Sequence, residues 1–239
     1  QCVWYIKDMD VFLLKVQAPQ LIMDFYLSSH RNMSEIGYRE IVVDNSTIGG
    51  LNVHGGFNVT ITNCIIDRSN HKKEHTFLNI NESVAQLQNV QLANLEFMVM
   101  DESVIINALQ NCNILLHNSR FSNISALYGL MYFGPGSKIE ISNCTFDQNK
   151  ALVEGHLFGA CFTLKNTVSI TVTKSHFLSN SAQNGGVFSI INSADVDIDD
   201  CVFENNTAAG ENQSEAIGLK AVKSHTNKQK FIAQNKSTM

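Results

Sequence analysis

Lys138-Ile-Glu-Ile-Ser-Asn-Cys-Thr-Phe-Asp-Gln-Asn149 holds a strand, a bend and the start of a second strand, and the phrase returns in degraded form along most of the chain. With Asn143 at position zero, further copies centre on Asn45, Asn63, Asn94, Asn118, Lys174 and Asp200. Four positions earlier stand Ile41, Val59, Val90, Ile114, Ile139, Ile170 and Val196. Two positions earlier stand Val43, Ile61, Leu92, Leu116, Ile141, Val172 and Ile198. One after zero stand Ser46, Cys64, Leu95, Ser119, Cys144, Ser175 and Cys201, and three after stand Ile48, Ile66, Phe97, Phe121, Phe146, Phe177 and Phe203.

Alternation of β-branched residues with polar ones is the pattern of a strand with one buried face. Its return at a period of roughly 25 residues marks a solenoid, in which no strand buries its face alone and neighbouring copies stack. The inward phase changes at position zero, so a bend separates two strands there. Asn at stacked bends, about 4.8 Å apart, is expected to form an amide ladder. A third strand precedes each pair, clearest in Gly129-Leu-Met-Tyr-Phe133, Ala160-Cys-Phe-Thr-Leu164 and Gly186-Val-Phe-Ser-Ile190. Its inward pairs are Met131/Phe133, Phe162/Leu164 and Phe188/Ile190. The expected fold is all-β: a parallel β-helix solenoid of about seven to eight coils, each of three short strands, with the right hand implied by the resemblance described next.

The phrases Gly185-Gly-Val-Phe188, Phe146-Asp-Gln-Asn149, Phe177-Leu-Ser-Asn180 and Phe203-Glu-Asn-Asn206 resemble the Gly-Gly-Ala-Ile and Phe-x-x-Asn signatures of polymorphic outer membrane protein repeats. Those repeats belong to the pectin-lyase-like class of right-handed β-helices. The match covers residues 146–206 and fades upstream, where Phe121 is followed by Ser-Asn-Ile. The resemblance implies a surface-exposed, adhesive or passenger-type role, usually without catalysis.

The net charge of −5 with 16% charged residues excludes a basic field for nucleic acid. Residues 37–206 read as the β-helix, residues 207–239 as a partial last coil or the start of a further part, and residues 1–36 either as earlier coils or as a cap. No apolar run reaches the ~18 residues of a membrane span. The start at Gln1 reads as a fragment of a longer protein, whose anchor would lie outside this piece. Cys64, Cys144 and Cys201 are expected as buried small hydrophobes: two coils separate Cys144 from Cys201 by about 9.6 Å, beyond bridging distance. Cys2, Cys112 and Cys161 stay open, with Cys161 expected to face outward.

Asn-x-Ser/Thr occurs repeatedly, among other places at Asn45, Asn58, Asn81, Asn123, Asn143, Asn205, Asn212 and Asn235. Asn45 and Asn143 occupy the ladder and are expected to be buried and unmodified. Asn81, Asn123, Asn205 and Asn212 fall in expected loops and are the candidate glycosylation sites.

Chemical motifs are few. His71-Lys-Lys-Glu-His75 matches a zinc-peptidase pattern, yet that chemistry needs a helix and a third ligand, and these residues fall in a loop. Asp199-Asp200-Cys201 resembles a polygalacturonase phrase, in which paired carboxylates position water. It lies wholly inside the repeat register, and the companion motifs are missing. Glu154 and His156 read as a loop surface. Asp195, Asp197, Asp199 and Asp200 have oxygens suited to calcium but read as a solvated sheet face. The outward positions of the first strand, Leu130, Tyr132, Cys161, Thr163, Val187 and Ser189, carry no acid or base. Leu130, Tyr132 and Val187 form the candidate binding strip, unless a loop folds over it.

The reading is a non-enzymatic extracellular or cell-surface adhesive or display scaffold with no cofactor and no metal. It binds glycans or a cell-surface protein and does not bind nucleic acid. The alternatives are a polysaccharide lyase or glycoside hydrolase of the pectin-lyase-like fold, and a stalk without a ligand.

Overall fold

The computed structural model describes residues 2–7, 13–16, 23–28, 39–48, 50–54, 57–66, 76–97, 104–152, 159–183, 185–192, 195–208, 217–220 and 232–234. Strand Lys138–Ser142 sets the pattern. Ile139 and Ile141 are buried, while Lys138 and Glu140 are exposed. The strand pairs in parallel, residue for residue, with Asn113–His117 on one side and Ser169–Thr173 on the other. Ile114, Ile139 and Ile170 thereby stack in one column and Leu116, Ile141 and Val172 in the next. Every such coil repeats the move, producing three parallel sheets around one core.

Among the described residues the first sheet has nine strands, the second eight and the third eleven. Seven to eight coils were expected. The nine-strand depth includes Cys2–Lys7 and Met23–Ser28 at one end and Ile217–Lys220 at the other, all in parallel register with their neighbours.

Left-handed residues make the corners. Asn45, Asn63, Asn89, Asn118, Asn143, Lys174 and Asp200 have φ of 48 to 53° and join the second sheet to the third. Shortly after them along the chain, Asn94, Asn123, Gln148, Ser179 and Asn205 form another corner line, at 52 to 56°. Glu82, Asn111, Gly136, Asn166 and Asn192 turn the chain between the first and second sheets. Asn tolerates this conformation better than other residues with a Cβ, and among the described residues it supplies eleven of the sixteen non-glycine positions with positive φ. That demand accounts for much of the chain's Asn content.

Two expectations about these corners are corrected. The bend of the third coil is Asn89, with Ala85 and Leu87 as its inward pair, and Asn94 belongs to the following corner. The two corners share the same left-handed geometry and apolar spacing, so the repeat matches one corner too late there. Asn45 and Asn143 are exposed, because the left-handed turn throws the side chain outward. The ladders do form, in solvent: Asn89 Nδ2 donates to Asn63 Oδ1 at 2.9 Å, Asn143 Nδ2 to Asn118 Oδ1 at 2.8 Å and Asn123 Nδ2 to Asn94 Oδ1 at 2.9 Å.

A buried ladder runs elsewhere, three positions after the stacked phenylalanines. Asn149 and Asn180 are fully buried and Asn206 nearly so. The backbone N–H and Nδ2 of Asn149 both donate to Asn180 Oδ1 at 3.0 Å, and those of Asn180 donate to Asn206 Oδ1 at 3.0 and 2.9 Å. Each Nδ2 also donates to a carbonyl of the preceding coil, at Phe121, Phe146 and Phe177 respectively. Ile124 takes this position one coil earlier, and its backbone N–H donates to Asn149 Oδ1.

Phe121, Phe146, Phe177 and Phe203 stack with ring centroids 5.3, 5.2 and 4.8 Å apart. Phe162 and Phe188 of the first sheet meet them edge-on from across the core. Offset and edge-to-face contacts of this kind add to the area the rings bury.

Serine and cysteine alternate in the column after the corner, interrupted by Val90 between Cys64 and Ser119. Cys144 N–H donates to Ser175 Oγ at 3.1 Å and Val90 N–H to Ser119 Oγ at 3.1 Å. The thiols of Cys64, Cys144 and Cys201 donate to the carbonyls of Thr62, Ser142 and Asp199. These three, with Cys112 and Cys161, are free and buried. Burial pushes the Cys144 thiol up to about 11. A thiol raised above its unfolded value stabilises the fold below about pH 8.5, and that contribution is lost as pH rises through the folded value. The loss amounts to about 3 kcal/mol. Urea midpoints at pH 8 and pH 11 are expected to fall more for the parent than for Cys144→Ser, which copies Ser119 and Ser175. Equal alkaline losses would remove this account.

Coil lengths vary mainly in one arm. The first-sheet entries Leu51, Leu78, Ile106, Met131, Phe162 and Phe188 share one register, and they lead to the corners Asn63, Asn89, Asn118, Asn143, Lys174 and Asp200. The run from entry to corner is equally long in every coil except that of Leu78 to Asn89, which is shorter by a single position. The return from a corner to the next entry is uneven, shortest from Asn45 to Leu51 and longest from Asn143 to Phe162.

Candidate functional site on the outer face of the first sheet

Strand Leu78–Asn81 points Leu78 and Ile80 into the core and turns Asn79 to the outer face. Parallel pairing places Asn52, Asn79, Asn107, Tyr132, Thr163 and Ser189 in one row across that face. Asn79 is only 8% exposed, and its Oδ1 has no hydrogen-bond partner. Asn81, half-exposed and two positions further along the same face, has a second buried Oδ1 without a partner. The corner ladders satisfy such oxygens from the next coil. Asn107 is in register with Asn79 yet leaves that acceptor unbonded. A buried acceptor in this state costs about 1–3 kcal/mol, which makes it an uncommon feature in a folded protein.

Tyr132, beside Asn107 in the row, is half-buried, and loss of solvent raises its phenol above the usual value. The hydroxyl is therefore a donor throughout the neutral range. Beyond it, Thr163 and Ser189 are buried, and Thr163 Oγ1 accepts from the Gly159 N–H at 3.2 Å. A Cβ on Gly159 would come within 2.4 to 2.7 Å of Phe162 O, Ser189 N and Val187 O, so only glycine lets the chain lie this close. This closes that end of the face.

The strip expected from Leu130, Tyr132 and Val187 is corrected. Leu130 and Val187 are fully buried in the core cluster, as is Cys161, which was expected outside. Each sits at a bend just before its strand, so two successive residues point inward there, as they do around the other corners. Of the strip, Tyr132 keeps an outward place. Asn79, Asn81 and Asn107 escaped notice in the sequence as a binding row. The available signal was polar residues at outward phase in consecutive copies, Asn52, Asn79 and Asn107.

The remaining motifs do not converge. Asp195, Asp197, Asp199 and Asp200 are exposed. Asp197 lines up with Thr171 and Glu140 on the second sheet, and Asp200 is a left-handed corner. Among the described residues, no three His, Cys, Asp or Glu side chains are grouped to hold a metal. His71–His75, Glu154, His156 and Asn212 lie outside the described residues. Asn81 and Asn123 fall within strands rather than loops, and Asn205 follows strand Val202–Glu204. His117 Nδ1 lies 2.5 Å from Ser142 Oγ on the second sheet. Such a pair is one part of a nucleophilic site. The backbone amides of these strands are committed to the parallel ladders and are not free to serve a developing oxyanion.

A family model described as a right handed beta helix region matches residues 49–236. No curated protein and no solved structure matches the chain significantly. No helix among the described residues is long and apolar enough to cross a membrane.

Proposed function

Because the chain belongs to the right-handed β-helix family, we propose that it is an extracellular or cell-surface display scaffold that binds a glycan on the outer face of its first sheet. The observation that carries this reading is the pair of unpartnered amide oxygens, Asn79 Oδ1 and Asn81 Oδ1. Sugar hydroxyls are the donors such acceptors lack, met when the two side chains turn outward, and the Tyr132 ring and hydroxyl, beyond Asn107 in the row, offer the apolar and polar surface a pyranose uses. No charge on this row favours an ionic ligand.

The test is calorimetric titration with neutral and acidic polysaccharides. Asn79→Leu is expected to leave the free protein as stable as the parent or more so, since it removes an acceptor with nothing to accept. The same change should weaken glycan binding about tenfold, the worth of one hydrogen bond of ~1.4 kcal/mol. Binding that ignores both Asn79→Leu and Tyr132→Ala would place the ligand elsewhere. Unsaturated or reducing ends appearing in the titrated polysaccharide would replace display by lyase or hydrolase chemistry.

A further inference from the structure

The same corner geometry sorts the Asn-x-Ser/Thr sites into two kinds. At Asn45, Asn123, Asn143 and Asn205 the asparagine is an exposed left-handed corner with φ of 48 to 53°. The middle residues, Ser46, Ile124, Cys144 and Asn206, are buried. The residues that follow, Thr47, Ser125, Thr145 and Thr207, turn outward again. The amide and the hydroxyl of the site therefore stand together on the outside. Asn81 has the opposite phase. Its hydroxyl residue, Ser83, is 2% exposed, donates to Asn81 O at 2.8 Å and accepts from Phe57 N–H at 3.3 Å. Asn58 is half-buried in strand Phe57–Thr62, away from any corner.

We propose that Asn45, Asn123, Asn143 and Asn205 are acceptors for asparagine-linked sugars and that Asn58 and Asn81 stay bare. The donor is a lipid-linked oligosaccharide diphosphate. The amide nitrogen bonds to the anomeric carbon, the bond from that carbon to the diphosphate oxygen breaks, and the lipid diphosphate leaves with the electron pair. The nitrogen gives up one proton, and nothing is oxidised or reduced. Transfer acts on the unfolded chain, so the fold works as the filter: a modified chain completes its coils only where the folded amide projects into solvent, as at the four exposed corners and not at Asn81, whose amide oxygen is buried. One N–H remains on each modified amide. Asn143 can still donate to Asn118 and Asn123 to Asn94.

The four sites lie on the two corner lines bordering strands such as Thr145–Asp147 and His176–Leu178. The inner sides of those strands carry Phe146 and Phe177, which meet Phe162 and Phe188 of the first sheet across the core. Sugars at these corners coat the flank opposite the first sheet and leave its outer face open. Only that last step rests on the proposed binding function.

The experiment is secretion of the full chain from a eukaryotic host behind a leader, with release of the sugars by an amidase in heavy-oxygen water. Each occupied asparagine becomes a heavy-labelled aspartate, read by peptide mass mapping. Label is expected at positions 45, 123, 143 and 205 and not at 58 or 81. Thr145→Ala and Thr207→Ala should each abolish label at their own site with the melting temperature unchanged. Label at Asn81 in the secreted, cooperatively melting protein would overturn the proposal, as would four empty corners. The map involves no ligand, so its failure would leave the Asn79 titration standing, and the reverse holds.

Discussion

Asn180→Ala is expected to destabilise the protein by about 4 kcal/mol, whereas Asn143→Ala should cost about 1. Both residues belong to amide ladders, and the difference lies in what each leaves behind. Without the Asn180 side chain, the backbone N–H of Asn149 loses its acceptor and Phe146 O loses its side-chain donor, both inside the core. Each buried orphan costs about 1–3 kcal/mol, and the missing side chain adds a cavity. Asn143 points into water, which replaces its bond to Asn118 at little cost. What remains there is the penalty of placing alanine at a φ of 50°, about 1 kcal/mol. Asn143→Gly should therefore be nearly neutral. Urea denaturation of the three variants decides the matter, and equal losses for Asn180→Ala and Asn143→Ala would refute the distinction between the ladders.

Phe177→Ala is expected to cost a similar amount, about 4 kcal/mol, with Phe177→Leu near 2. The ring is fully buried, stacks on Phe146 at 5.2 Å and Phe203 at 4.8 Å, and takes edge contacts from Phe162 and Phe188 at 6.1 and 5.4 Å. In a solenoid each coil touches only its neighbours, so the loss falls on particular interfaces. Amide exchange should speed most in the coils of Phe146, Phe177 and Phe203 and least near Ile61. Uniform acceleration along the chain would mean that the coils unfold as a single unit.

The strand columns were legible because period-two burial of Ile, Val and Phe leaves little choice of phase. Ile139, Ile141 and Phe146 lie where the sequence placed them. The third coil is hard to place from sequence because Ala85 is too small to stand out as a core position and Asn94 is itself a left-handed corner. Asparagine fills three roles in this fold: exposed corner, buried ladder and outer sheet face. Its identity alone separates none of them. Phe-x-x-Asn was visible as a motif, but the burial of its Asn was not, because burial follows from the carbonyl of the preceding coil. Alternation carried through the bend points Leu130 and Val187 outward, whereas the bend turns both inward. The candidate site was least legible, since an acceptor without a donor is a property of three-dimensional neighbours.

The near-constant run from first-sheet entry to corner, set against the uneven return from corner to next entry, divides each coil into a ruler and a slack arm. Register is kept by the ruler and by the third-sheet strand that opens the arm, so what is free to change length during descent is the stretch beyond that strand, up to the next first-sheet entry. Doubling such an arm costs only about 0.6 kcal/mol in closure entropy. Novelty can therefore accumulate along one line of the molecule while the rest is held fixed. The same line is where a foreign epitope could be grafted between Ile66 and Thr76 with the stack on either side undisturbed.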